Sequence, residues 1–215
     1  AKETGCEYIL MSRSDSTLRG HYPLETEILR RVVEKNSART IDGEIICPFF
    51  KEGGRFTIGD IHYVKYNDEL VPAAETEFAK DKTFGYTASD IKEYVEEKTK
   101  GAFKANGVTS ISLDSLRQFK IDEITKQLMQ VKGFHKVVVN AVDYIDIKIF
   151  CIALYRAMSA GKVFMFRTAA ALVKVIGGIT DQPLLTREQM IVKETSNGGI
   201  VIVGSHTQKT TSQLV

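Results

Sequence analysis

Residues 12–23 read Ser-Arg-Ser-Asp-Ser-Thr-Leu-Arg-Gly-His-Tyr-Pro. Within them Ser14, Asp15, Ser16, Thr17 and Arg19 gather hydroxyls, one carboxylate and one guanidinium, donors and acceptors suited to a small carboxylate or phosphate. Ahead of the loop, Tyr8, Ile9, Leu10 and Met11 read as a buried strand, and behind it Pro23 suits the first turn of a helix. Leu24, Ile28, Val32 and Val33 recur there at helical spacing, with Glu25, Glu27, Arg30, Arg31 and Glu34 on the other face. Free amides at the start of that helix would favour negative charge. The same residues also read as a capped turn, in which Asp15, Ser16 and Thr17 satisfy loose backbone donors and Arg19 makes a surface ion pair.

Other chemistry-bearing residues follow other apolar runs. Gly53-Gly54-Arg55 comes after Glu44–Cys47, Asn140 and Asp143 after Val137-Val138-Val139, and Arg167 after Val163-Phe164-Met165-Phe166. If each run is a parallel strand, these positions meet at one carboxyl edge, where open α/β sheets bind ligands. Blander readings stand beside each: a reverse turn with Arg55 solvated, a helix N-cap by Thr168, and a half-buried strand histidine at His62. Glu75, Glu77 and Asp81 lie among Thr, Lys and Ala and read as a solvated face rather than a magnesium site. No metal-ligand spacing is present, and no P-loop pattern.

The elements that must position these residues alternate. Strands are predicted near 7–11, 44–47, 108–113, 136–140, 162–166 and 200–203, and helices near 23–35, 89–99, 121–132, 144–159 and 168–176. This is the pattern of an α/β fold, a mostly parallel sheet with helices on both faces. The continuous apolar runs at 137–139 and 163–166 suit central strands buried on both sides. An insertion over 51–88 breaks the rhythm, with a hairpin of Ile61–Tyr66 and Glu69–Val71 turned at Asn67-Asp68. Thr87-Ala88-Ser89-Asp90 resembles a capping box for the next helix.

With 215 residues and 43% hydrophobic content, the chain can bury a substantial core. Its 29 basic and 27 acidic side chains leave a net charge of +2, which disfavours nucleic acid or an anionic membrane surface as partner. Cys6, Cys47 and Cys151 are far apart in apolar runs and read as reduced buried thiols of a cytoplasmic protein. The start, Ala1 to Gly5, and the short tail after Ile200–Val203 suggest an internal piece of a larger protein. The expected division is one domain over 1–195, lacking its N-terminal part, then linker and the first strand and loop of a second domain over 196–215.

Asp15-Ser16-Thr17-Leu18-Arg19-Gly20 resembles the signature of the four-carbon acid sugar kinases, ATP-dependent enzymes acting on threonate, erythronate and 3-oxotetronates. The resemblance continues in order through Pro48–Arg55, Asp60–Val64, Glu75–Asp81, Asn140-Ala141, Phe166–Ala170 and Val203-Gly204-Ser205. It implies a phosphotransferase with an alcohol group as acceptor, using ATP and Mg²⁺, with this chain supplying the acid-sugar site and inactive alone. Carried onto matching positions, it gives Asp15, Ser16, Arg19, Gly54, Arg55, His62, Asn140 and Arg167 as substrate-binding residues. Arg19 is then the carboxylate partner, and Asp15 the residue that would bind a sugar hydroxyl and accept its proton. Gly204, Ser205 and Thr207 resemble the first nucleotide-binding loop. The commoner family residue at position 140 is Asp, so the Asn here argues against an obligate acid. The competing reading is a non-catalytic module for small carboxylates or phosphates. A homo-oligomer is compatible with either.

Overall fold

In the computed structural model, residues 5, 8–37, 39–191, 200–205 and 208–214 are described. Cys6, Thr207 and the expected linker residues Lys193 to Gly199 lie outside them. Five strands form one parallel sheet: β1 (Met11–Arg13), β2 (Gly43–Cys47), β6 (Thr109–Ile111), β7 (His135–Val139) and β8 (Phe164–Thr168), in the order β1-β8-β2-β7-β6. All five run the same way, so the loops after β1, β2, β7 and β8 leave from one edge.

Alternation along each strand divides the core. Ile45, Cys47, Val137, Val139, Phe164 and Phe166 face α4 (Ile121–Gln130), α5 (Tyr144–Ser159) and α6 (Ala170–Ile176), while Ile46 and Val138 face α2 (Ile91–Lys98) on the other side. Met165 packs there with Val33 and Leu29 of α1 (Leu24–Asn36). Helices therefore cover both faces, as the apolar runs predict. Cys47 and Cys151 are buried free thiols, each pushed up to about 12 by burial.

The insertion forms a second, antiparallel sheet of β3 (Arg55–Ile58), β4 (Ile61–Tyr66) and β5 (Glu69–Pro72). The hairpin at Asn67-Asp68 is as expected, but β3 adds a strand where the sequence suggests only a turn. Its hairpin turns at Gly59-Asp60, both with positive φ (57° and 68°). Thr57 exchanges backbone hydrogen bonds of 3.0 Å with Ala141, which ties the small sheet to the carboxyl end of β7.

Four local expectations change. β1 begins at Met11, four residues later than predicted, and Tyr8 and Ile9 are exposed. On α1 the apolar stripe Leu24, Ile28 and Val32 faces outward, about half exposed, and Leu29 and Val33 pack inward. Two overlapping stripes exist on this helix, and periodicity does not tell which one is covered. α2 opens on Asp90, whose carboxylate accepts from the amides of Lys92 and Glu93; Thr87 bonds Glu97 and Ser89 bonds the Ala74 amide, so no capping box forms. β8 extends through Thr168, whose hydroxyl donates to the Cys47 carbonyl instead of capping α6.

The chain divides into two compact units, Ala1–Thr180 and Asp181–Val215. In the second, Thr186 caps the short helix α7 (Arg187–Met190), and α8 (Gln208–Leu214) follows. Ile200 to Val203 form no strand and are exposed. A strand needs a neighbour for its backbone groups, and none pairs with this segment among the described residues. No helix among the described residues is long and apolar enough to cross a membrane.

Candidate functional site

Asp15 is the centre of the first loop. Its Oδ2 accepts from the Thr17 hydroxyl, from the Arg19 amide (3.3 Å) and from Arg19 Nε (2.8 Å). Burial alone would raise the Asp15 carboxyl, but these bonds from Arg19 and Thr17 outweigh it and hold it below the ordinary carboxylate value. Its other oxygen, Oδ1, accepts nothing from the described residues. The start of α1 offers less to an anion than the sequence suggests. The Glu25 and Glu27 amides already donate to His21 and Pro23, and Ser12 donates to the Glu25 carboxylate at 2.6 Å.

Cationic groups come instead from two guanidiniums that share one ring. Arg19 lies 5.0 Å and Arg55 5.2 Å from the Phe78 centroid, distances at which each is attracted by the ring face. They differ in their partners. Arg19 is balanced by Asp15 and, at 3.9 Å, by Asp81. Arg55 donates to the Gly53 carbonyl, meets no carboxylate within ion-pair distance among the described residues, and keeps a buried Nε without an acceptor there. Desolvation lowers its pKa, the physical mark of a charge short of compensation. Glu77, across the insertion, accepts from Tyr66 at 2.6 Å.

Gly53 and Gly54 shape the turn before Arg55. A Cβ at Gly53 would come within 2.4 Å of the Phe50 ring, and Gly54 has φ +70°. The Gly54 amide donates to Lys51 within the turn rather than facing an anion. Lys51 pairs with Asp143, which also caps α5, so Asp143 belongs to the helix start.

The remaining site candidates lie beneath the loop. His62 is buried: Nε2 sits 2.8 Å from the Ser16 carbonyl and Nδ1 3.0 Å from the Thr57 hydroxyl. A carbonyl only accepts, so Nε2 carries the proton and Thr57 donates to Nδ1. Burial lowers the ring's pKa to about 4, leaving it neutral. Asn140 is also buried; its amide donates to Asp60, Ser110 and the Ile111 carbonyl and its oxygen accepts from the Asp60 amide at 2.7 Å. Lys92 holds the same Asp60 carboxylate at 2.8 Å. Arg167, 2% exposed, lies over the Tyr22 ring and donates to the Leu18 and Arg19 carbonyls, with NH1 buried and unpaired.

The structure thus brings Asp15, Ser16, Arg19 and Arg55 together at the surface of the carboxyl edge and puts His62, Asn140 and Arg167 behind them. Phe78 escapes the sequence reading, although an aromatic side chain amid the polar residues of 75–81 is its signal. Gly204 and Ser205 are exposed in the second unit. A Cβ at Gly204 would touch nothing within 4 Å, so no close approach requires glycine there. Among the described residues no group of three or more His, Cys, Asp or Glu could hold a metal. A cavity of about 740 Å³ lined by Leu10, Val33, Tyr155 and Val163 opens at the amino edge of the sheet, away from these polar groups.

Known proteins share this fold. Protein HI1011 of Haemophilus influenzae, of the DUF1537 family, superposes with a TM-score of 0.55 at 18% identity, covering 83% of this chain and 40% of its own. A DUF1537 domain from Bordetella bronchiseptica, solved as a domain-swapped dimer with bound citrate, gives 0.56 at 21% identity, covering 83% and 38%. The chain therefore spans about two fifths of the length of these proteins. No curated protein matches it. Residues 1–176 match the model of the sugar-binding N-terminal domain, and the chain belongs to that family.

Proposed function

We propose that this chain supplies the acceptor site of an ATP-dependent kinase that phosphorylates a hydroxyl of a four-carbon sugar acid of the threonate, erythronate or 3-oxotetronate type. The observation that carries the acid-binding part is the pair of guanidiniums over Phe78, one already neutralised and one without a counter-ion among the described residues. In this reading the Arg55 fork takes the ligand carboxylate, because an unpaired buried donor gains most from a charged acceptor. Arg19, expected from sequence to be the carboxylate partner, adds to the field while anchoring Asp15. Oδ1 of Asp15 accepts a sugar hydroxyl and Ser16 donates to a second. With its basicity lowered, Asp15 orients the hydroxyl more than it removes the proton, in keeping with phosphoryl transfer driven by positioning and charge. The citrate held by the Bordetella relative supports a carboxylate ligand for this fold.

The kinase part rests on the resemblance of Asp15–Gly20 and its companion segments. ATP and Mg²⁺ would supply the phosphoryl group and neutralise its charge. Among the described residues no group of three or more His, Cys, Asp or Glu stands ready to hold the metal. The division at residues 195 and 196, the nucleotide role of Gly204, Ser205 and Thr207, cytoplasmic location and self-association belong to the same proposal. The test is to incubate the full-length protein with ATP, Mg²⁺ and a panel of four-carbon sugar acids and to follow ADP. Turnover on at least one acid is expected, and none by residues 1–215 alone. Acid binding without turnover on any member would favour the non-catalytic carboxylate-binding module instead.

A further inference from the structure

Four consecutive carbonyls of the first loop are each held from below by a different buried side chain. The Ser16 carbonyl accepts from His62 of β4 at 2.8 Å, and the Thr17 carbonyl from the Tyr86 hydroxyl at 2.7 Å. The Leu18 carbonyl accepts from the Tyr94 hydroxyl of α2 at 2.7 Å and from Arg167 of β8, which also reaches the Arg19 carbonyl at 3.2 Å. Tyr86 and Tyr94 meet edge to face at 5.6 Å, and Tyr94 stacks on Tyr22 at 5.6 Å, so the two hydroxyls are aimed by packed rings. Both phenols stay protonated, raised by burial, Tyr94 to about 12.

A trans peptide points its N–H opposite to its C=O. Drawing the carbonyls of residues 16 to 19 toward these side chains therefore turns the amides of residues 17 to 20 away from them; Thr17 and Leu18 stay buried, and Gly20 is partly exposed. Leu18 and Arg19 use theirs on Asp15, at 3.3 Å each. The amides of Thr17 and Gly20 donate to nothing among the described residues. Leu18 adopts φ +67° and Gly20 φ +122°, and for Leu18, which has a Cβ, that conformation is one the fixed carbonyls help to hold.

We propose that Tyr86 and Tyr94 are positioning residues of the acid site: with His62 and Arg167 they fix the loop carbonyls inward and present the Gly20 amide, together with the Asp15 and Arg19 side chains, to an anionic ligand. The ligand side of this inference rests on the sugar-acid reading above; the clamp itself does not. Neither tyrosine touches ligand. Each acts through the backbone of the loop, and loses only one hydroxyl when replaced by Phe.

The test uses Tyr94→Phe and Tyr86→Phe in the full-length protein, with amide hydrogen exchange and calorimetric titration of threonate and erythronate. Each variant should speed exchange at residues 17–20 roughly tenfold while the amides of β2 and β7 keep wild-type protection. Acid affinity should fall by a similar factor, with global melting lowered by no more than the loss of one buried hydrogen bond would cause. In wild type, the Gly20 amide resonance should shift on titration, and less so in the variants. Unchanged loop exchange, or a uniform loss of protection with unaltered affinity, overturns the clamp. If wild type binds neither acid while the loop alone loosens in the variants, the sugar-acid reading fails and the clamp stands.

Discussion

At the scale of single residues, the site is a contest between paired and unpaired charges. Arg19 and Arg55 look alike in sequence, each a guanidinium in a polar loop, and nothing in the residue types says that one is neutralised by Asp15 and the other is not. Asp15 lies only four residues before Arg19, whereas the surroundings of Arg55, Phe78 among them, come from segments distant in sequence. His62 shows the same limit: the sequence offers a strand histidine, and only its enclosure between Thr57 and Ser16 makes it neutral and structural. A histidine with pKa about 4 when folded and 6.5 when unfolded leaves the unfolded state with more bound protons between those values. Its contribution is therefore complete above pH 6.5 and is lost as pH falls toward 4, on the order of 3 kcal/mol over that window. Urea unfolding midpoints of wild type should fall between pH 7 and pH 4.5, and those of His62→Gln should fall distinctly less.

At the scale of elements, the helices and central strands were legible because they bury continuous or periodic apolar residues; α5 and β7 fall within a residue of their predicted bounds. β3 was not legible, since its residues Arg-Phe-Thr-Ile are too few to show alternation and its pairing partner decides it. Arg167 was placed after a strand but lies within one, because the apolar run ends before the hydrogen-bonded ladder does. Asn140 marks where the two sheets are joined. Its amide donates to the Asp60 carboxylate, which is also held by Ser110 and Lys92, so a neutral donor is required opposite that acid. Asn140→Asp would set two carboxylates against each other and remove the donor. We expect a loss of about 2–3 kcal/mol near neutral pH. One of the paired acids would take a raised folded pKa, so the deficit relative to wild type should shrink as pH falls, a trend that parallel urea titrations at pH 7 and pH 5 would read.

At the scale of the whole molecule, a parallel sheet gathers loops from β1, β2 and β8 at one edge, and the insertion brings Arg55, from its antiparallel sheet, and Phe78, from the turns after that sheet, to the same place. The order of segments in the sequence announces that edge, while the pairing of groups across it depends on side-chain geometry no spacing rule encodes. The chain covers about two fifths of the length of its structural relatives, and the proposed acid binding is the property to measure first. The most direct measurement is calorimetric titration of threonate and erythronate into the full-length protein, its Arg55→Gln variant and its Arg19→Gln variant. Saturable binding of at least one acid is predicted, weakened about tenfold or more in Arg55→Gln and less in Arg19→Gln, in line with the loss of a charge-assisted hydrogen bond. Binding of equal strength in wild type and Arg55→Gln would contradict the account.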